Sequence, residues 1–487
     1  MSRLAEVFSS LVLSLLLIRA LHPTLYGQYS FVVNAASFGA VLLSLGFAET
    51  LMRFVSALLG TGQIAEVRLL VRWLLGARLI TYAAGILLLF ILHGVAARLL
   101  HLPLIDRFWL PIALLLVSQG AIEFTTSYAY ARLRSRDVAV ARTVGQVLAV
   151  AFFGVIVALR LQDPVTAAIT VSISYLAAAA LLIVRGLGSV LVSGSSTTLP
   201  LRRFVNFALM AWAVNLFTLG LAGQIDVILL GALRRDFDQI AFYSVATLVF
   251  VKLGVLLSGW AGTAISNFAE IRVRRGPEVA SRLFNVYMRI NLLISLLVYP
   301  PILLMARPIA VRVFGASYAP TADLMTVYGA FWLVSSCLAA GIPLSVMMAI
   351  GAQRQALLIR AATGIANVVL DLVLIPPLGA LGAIIATGIA NVLAHLADFM
   401  VAAIRVGGRY PGGLLLRGGA AALLGLIVPF LLHPSGLLLT GVGFLLYWIV
   451  FAGTLLVIRP LEAGDLELAS RVSPRVGSIA RRFTAVG

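Results

Sequence analysis

Long apolar runs follow one another along almost the whole chain, separated by short clusters of Gly, Pro and Arg. A helix that crosses a bilayer needs roughly 20 predominantly apolar residues. Run length and punctuation predict spans at 4–21, 29–57, 73–100, 108–131, 138–160, 164–184, 204–232, 239–268, 284–313, 322–350, 355–376, 380–404, 413–432 and 436–458. The expected fold class is an all-α polytopic membrane protein with about 14 transmembrane helices. An outer-membrane β-barrel is excluded, because its strands alternate apolar and polar residues. No stretch between spans is long enough for a separate soluble domain. The opening run Leu11–Ile18 is followed by Arg19 and by no small-residue cleavage site. It reads as a retained first helix and not as a signal peptide.

The chain also repeats itself. Arg19-Ala-Leu, then Tyr26-Gly-Gln-Tyr-Ser30, is echoed by Gly231-Ala-Leu, then Ala241-Phe-Tyr-Ser244. Phe54 and Phe268 sit at the same offset as Tyr29 and Tyr243, and Arg136 and Arg142 are echoed by Arg354 and Arg360. The offset, roughly 215 residues, covers six spans. An even number of spans inserts both copies the same way up. This predicts two six-helix bundles related by a pseudo-two-fold axis along the membrane normal, with a shared cavity. Gly186 to Thr198 is rich in Gly, Ser and Thr and is the candidate linker. The predicted organisation is an N-terminal bundle over 1–185, a cytoplasmic linker over 186–203 and a C-terminal bundle over 204–405. An extra two-helix hairpin over 406–458 and a cytoplasmic basic tail over 459–487 complete it.

Composition supports the membrane reading and charge orients it. Of the 487 residues 61% are apolar and 11% charged, against about 45–50% and about 25% in soluble chains. The net charge of +18 would suggest nucleic acid in a soluble protein. Here it reflects arginine-rich loops facing anionic lipid, and no nucleic-acid partner is expected. Loops after even-numbered spans carry Arg68 and Arg72; Arg132, Arg134 and Arg136; Arg202 and Arg203; Arg272, Arg274 and Arg275; Arg405 and Arg409. Both termini are therefore expected in the cytoplasm. The tail, with Glu462, Asp465, Glu467 and then Arg471, Arg475, Arg481 and Arg482, reads as a surface-lying amphipathic segment or a solvated tail. The lone Cys337 forms no intrachain disulfide.

An ionisable side chain at mid-bilayer costs about 2.5–3.5 kcal/mol on insertion scales and persists where it faces a cavity or a partner. Lys252, the only lysine, lies near the middle of span eight on a face with Gly259, Thr263, Ser266 and Glu270. It reads as a cation on a cavity wall or as half of a buried ion pair. Glu49 and Arg53 are four apart on span two. Either they neutralise each other, or Arg53 stands at the cytoplasmic mouth to meet an anion. Arg19, ending span one, is a cavity cation or a side chain reaching the outer interface, and Arg78 and Arg289 are expected to snorkel. Asp226 shares a face of span seven with Trp212, Asn215 and Leu219. It is a proton or sodium site or a structural hydrogen bond, and Glu123 in span four has the same two readings.

Asn367 and Asp371 are expected to make interhelical hydrogen bonds. Asn391, His395 and Asp398 share a face of span twelve but offer too few ligands for a metal. Trp212 and Tyr128 suit stacking on sugars or core packing. Pro300-Pro301, Pro343 and Pro376-Pro377 are expected to interrupt or end helices. There is no phosphate-binding Gly-x-x-x-x-Gly-Lys-Ser/Thr loop, no Gly-x-Ser-x-Gly, no His-Glu-x-x-His and no large polar loop to hold a glycosyltransferase site. A non-enzyme with no cofactor and no metal is expected.

Several of these residues resemble a known family. Arg19-Ala-Leu-His-Pro-Thr-Leu-Tyr26-Gly27-Gln-Tyr29, leading into Leu45-Gly46-Phe-Ala-Glu-Thr-Leu-Met-Arg53-Phe54, is similar to the opening of the polysaccharide biosynthesis proteins. These are the O-antigen-type flippases for lipid-linked oligosaccharides, of the multidrug/oligosaccharidyl-lipid/polysaccharide exporter superfamily. Asp226-Val-Ile-Leu-Leu-Gly231 resembles the family's Asp-x-x-x-Leu-Gly. Pro343-Leu-Ser, Asn367-Val-Val-Leu-Asp371-Leu-Val-Leu-Ile-Pro376 and Gly379-Ala-Leu-Gly382-Ala-Ile-Ile-Ala-Thr387 resemble its C-terminal signature. His22-Pro23 replaces the usual Gly-Pro, and Asp371 stands where Asn is common.

The resemblance covers nearly the whole chain. It implies two six-helix bundles around a central cavity, with two extra C-terminal helices. It further implies movement of an undecaprenyl-diphosphate-linked oligosaccharide across a bacterial or archaeal cytoplasmic membrane by alternating access, for O-antigen, capsule or exopolysaccharide synthesis. A lipid diphosphate brings about two negative charges into a low-dielectric cavity. Lys252, Arg53 and Arg19 are the candidate diphosphate-binding cations. Asp226, Glu123 and Glu49 are the candidate ion-coupling or charge-balancing groups, and Asn215, Trp212 and Thr263 the candidate cavity lining. H+ or Na+ is the candidate coupling ion, and a glycan polymerase and chain-length proteins are candidate partners. A lipid II flippase of peptidoglycan synthesis is the alternative with the same architecture. A drug/cation antiporter would need an acidic cavity, whereas the embedded charge here leans basic. A membrane polysaccharide polymerase or ligase would need a large extracytoplasmic loop, and none is present.

Overall fold

The computed structural model describes residues 2–99, 103–187, 201–221, 223–257, 276–432 and 436–458, and among them every regular element is helical. In chain order these are α1 (Ser2–Ala20), α2 (Pro23–Ser44), α3 (Phe47–Gly60), α4 (Ile64–Leu99), α5 (Pro103–Ala131), α6 (Ser135–Ala158) and α7 (Pro164–Leu182). Then come α8 (Leu201–Leu219), α9 (Gln224–Arg234), α10 (Phe237–Leu257), α11 (Pro277–Leu304), α12 (Thr321–Cys337) and α13 (Ile342–Ala349). The last are α14 (Gln353–Leu378), α15 (Ala380–Val406), α16 (Gly412–Leu432) and α17 (Leu437–Ile458). Among the described residues eleven spans are long and apolar enough to cross a bilayer, or thirteen when each of two bent pairs counts as one. The shorter α1 completes the expected set. The chain is an all-α, multi-pass membrane protein.

Local chemistry sets the ends. Pro23, Pro103, Pro164 and Pro277 each open a helix, where a missing N–H leaves no bond unmade. Asp163 caps α7 through its Oδ1, which accepts from the Thr166 N–H at 2.8 Å, while Thr166 returns the bond to the cap. The expected spans two, seven and ten are not single rods. Span two bends by 54° between α2 and α3, where Leu45 and Gly46 take left-handed φ of 42° and 70°. A Cβ on Gly46 would overlap the Ala208 carbonyl oxygen of α8, so only glycine allows this approach. The bend frees carbonyls at the end of α2, and the Trp212 indole N–H donates to those of Val41 and Leu42 at 3.2 and 3.1 Å. Span ten breaks at Ala339 and Gly341, φ 58° and 86°, and Pro343 then starts α13 instead of breaking a helix.

The described parts of Met1–Val245 and Val368–Ala383 form one compact unit. Within it α6 and α7 pack through small residues. Ala141, Gly145 and Ala149 follow at four-residue spacing on α6, and a Cβ on Gly145 would overlap the Ser174 carbonyl of α7. Close backbone approach of this kind drives helix association in lipid. Ser30 and Ser244 join at 2.6 Å, and Thr24 donates to Asp238 at 2.6 Å. Both pairs are 214 residues apart, the register of the internal repeat.

The described parts of Ala246–Asn367 and Ile384–Gly487 form the second unit. Pro300 and Pro301 were expected to interrupt their span, yet α11 continues through them to Leu304. Each proline lacks the N–H that would bond four residues back, which frees the Leu296 and Leu297 carbonyls. The Tyr447 hydroxyl donates to Leu296 O and the Trp448 indole donates to Leu297 O at 3.2 Å. In hydrocarbon an unbonded carbonyl has no water to turn to, so neighbouring helices supply the donors. The C-terminal hairpin α16–α17 is thus keyed to the tandem prolines.

Candidate functional site

Asp226 does not share a continuous face with Trp212, Asn215 and Leu219. The break between α8 and α9, at Gly223 with φ 80°, rotates it away and puts it in the first turn of α9. There the free backbone N–H groups favour a carboxylate. Asp226 is fully buried, and the buried Tyr243 hydroxyl donates to its Oδ2 at 2.5 Å. Its carboxyl lies close enough to that of Asp371 on α14, also fully buried, for the two to interact. Two carboxyl groups in such contact need a proton between them; with both ionised, a bound cation takes the proton's place. The sequence reading had Asp371 only as an interhelical hydrogen-bonding residue and missed Tyr243. The motif Asn367-Val-Val-Leu-Asp371 carried the available signal. Among the described residues no group of three or more His, Cys, Asp or Glu side chains could hold a metal ion.

Glu49 and Arg53 do not pair among the described residues, despite their four-residue spacing. Arg53 lies in a π turn, Leu51–Val55, and its guanidinium goes to aromatic rings instead. The Asn215 amide donates to Glu49 Oε1 at 2.9 Å. Glu49 Oε2 is buried with no hydrogen-bond partner among the described residues. Arg53 is exposed, and its Cζ lies 4.5 Å from the Phe207 ring centroid and 5.5 Å from that of Phe54. This is cation–π geometry, and it fixes the guanidinium without neutralising it.

Arg78 does not snorkel. It is 4% exposed and pairs with Glu123 of α5, whose side chain is 37% exposed, while its Nη2 also donates to Tyr82 at 3.2 Å. Its guanidinium turns inward to Glu123 and Tyr82 instead of reaching outward. Glu123 is therefore an ion-pair partner. Arg19 is exposed at the end of α1, and Lys252 and Arg289 are half-buried in α10 and α11. Thr263, Gly259, Ser266 and Glu270 lie outside the described residues. Tyr128 is buried beneath Arg132, whose Cζ is 5.7 Å from its ring centroid. On α15, Asp398 pairs with Arg360 of α14 and so is not poised for a metal.

Comparison with solved structures agrees with this architecture. A lipid II flippase, MurJ, in an inward closed conformation aligns over 93% of this chain and 96% of its own, with TM-score 0.67 and 14% identity. An inward-facing multidrug-resistance MATE transporter of the MOP superfamily aligns over 84% and 95%, with TM-score 0.65 and 14% identity. An outward-facing MATE transporter aligns over 83% and 94%, with TM-score 0.57 and 15% identity. This chain has the MOP-superfamily transporter fold. No protein-family model matches the sequence, and no curated protein matches it. At these identities the likeness supports the fold alone.

Proposed function

We propose that the chain is a flippase that moves an undecaprenyl-diphosphate-linked oligosaccharide across the cytoplasmic membrane by alternating access, for surface polysaccharide synthesis. The observation that carries the reading is Arg53. It is an exposed guanidinium held on Phe207 and Phe54 with no acidic partner among the described residues. A drug-cation exporter would need acidic groups at such a position, whereas a phosphate-bearing lipid needs a cation. Lys252 and Arg19 are the further candidate cations, and Trp212, Asn215 and Thr263 the candidate lining. Asp226 with Asp371 is the candidate coupling site, where a proton or a sodium ion exchanges during the cycle. Glu49, with its open Oε2, is a second charge-balancing group, and Glu123 is occupied by Arg78. The bundles over 1–185 and 204–405, the cytoplasmic linker between them and the cytoplasmic termini are part of this proposal.

Lipid II is the second candidate cargo, because its flippase aligns over the larger share of this chain. The test is flipping in proteoliposomes that contain only this protein. A fluorescent undecaprenyl-diphosphate oligosaccharide and lipid II are followed with and without H+ and Na+ gradients. Gradient-dependent flipping of the oligosaccharide, lost in Asp226→Asn, is the expected result. Flipping of lipid II alone reassigns the cargo. Flipping of neither donor under any gradient rejects the reading.

A further inference from the structure

Arg53 shares its aromatic mount with a second guanidinium. The Arg203 Cζ, at the start of α8, lies 5.6 Å from the Phe54 ring centroid, and the Arg53 Cζ lies 5.5 Å from the same centroid. Phe54 is buried and is held edge-on by Phe204 at 4.7 Å and Phe207 at 5.4 Å. The rings are therefore set before any ligand arrives. Both arginines are exposed, and among the described residues neither forms an ion pair. Two like charges gathered on one ring repel each other unless an anion joins them. The π turn that carries Arg53 is a local departure of the kind found at functional sites. The close approach at Gly46 is what brings α8, and with it Arg203 and Phe207, against α3.

We propose that Arg53 and Arg203 form a two-guanidinium clamp, mounted on Phe54 and Phe207, for the diphosphate head of a membrane-anchored lipid. The identity of that lipid rests on the flippase reading above. Stacking uses the face of a guanidinium and leaves its in-plane N–H groups free to donate in pairs to phosphate oxygens. Arg203 has no role in the sequence reading beyond its loop charge. The clamp gives it one, because two phosphates need two forks. Lysine would not replace it, since an ammonium offers no planar fork.

The test uses the full-length protein in phosphatidylcholine nanodiscs, titrated with farnesyl diphosphate by microscale thermophoresis. Arg203→Ala is expected to weaken binding about tenfold or more, with an unchanged unfolding midpoint. Arg203→Lys is expected to recover only part of the loss, and Phe207→Leu to weaken binding by releasing Arg53. Binding within twofold of the wild type in a folded Arg203→Ala protein overturns the clamp. Equal affinity for inorganic diphosphate overturns the lipid-anchored ligand. Loss of farnesyl diphosphate binding in phosphatidylglycerol nanodiscs overturns the diphosphate assignment in favour of a general anionic-lipid contact. The flipping assay separates the two readings. Clamp-dependent binding without flipping of any donor removes the flippase reading and leaves the clamp; flipping with unaltered Arg203→Ala binding removes the clamp alone.

Discussion

Tyr447→Phe tests how the C-terminal hairpin is held. Tyr447 is 0% exposed, and its hydroxyl serves the Leu296 carbonyl that Pro300 deprives of a backbone donor. Phenylalanine keeps the ring, so its stack on Phe451, with centroids 5.7 Å apart, survives. What is lost is one hydrogen bond to a buried carbonyl with no water within reach. Leaving such a group unsatisfied costs about 1–3 kcal/mol. Trp448→Phe should cost less, because Trp448 is 45% exposed and its neighbours can adjust. Pro300→Ala supplies the missing N–H to Leu296. In that background Tyr447→Phe should cost roughly 0.5 kcal/mol, a coupling within the range seen for contacting residues. The assay is reversible unfolding in mixed micelles with increasing sodium dodecyl sulfate, run on the four proteins of the cycle. Equal costs in the proline and alanine backgrounds would refute the orphan-carbonyl argument.

Three further outcomes follow from the geometry. Gly46→Ala adds a Cβ against the Ala208 carbonyl at a left-handed φ of 70°; it should lower the yield of monodisperse protein, read by size-exclusion chromatography, while Gly60→Ala, with open space around it, should not. Arg78→Ala leaves Glu123 without its partner and should cost about 3 kcal/mol in the same unfolding assay, whereas the uncharged pair Arg78→Met with Glu123→Leu should recover most of that loss. Ser30→Cys with Ser244→Cys, in a Cys337→Ser background, should crosslink under mild oxidation because the two Oγ atoms are 2.6 Å apart. The crosslink is expected to stop flipping until a reductant is added, and full activity of the crosslinked protein would exclude movement between α2 and α10.

Much of the architecture is legible in the chain itself. Apolar run length is a local property, and a bilayer leaves a helix as the only way to satisfy the backbone of a single run. Span positions, the repeat and the basic balance therefore follow from the sequence. So does the motif that contains Asp226 and Asp371. Helix faces read at 100° per residue failed wherever the backbone left the α register. The left-handed residues at Gly46 and Gly223 redirected α3 and α9, and Glu49 and Arg53, four apart, took different partners, Asn215 and Phe207.

Pairing was decided only by tertiary structure. Asp226 meets Asp371, Arg78 meets Glu123, and Tyr447 meets Leu296 across long separations in the chain. Each partner is fixed by which helices pack side by side. In lipid that packing depends on small residues and close backbone contacts rather than on any hydrophobic pattern, since every face of such a helix is apolar. The sequence by itself determined that the chain is an all-α protein that crosses the membrane many times. The tertiary structure decided which of its charges neutralise each other and which, as at Arg53 and Arg203, have no acidic partner among the described residues.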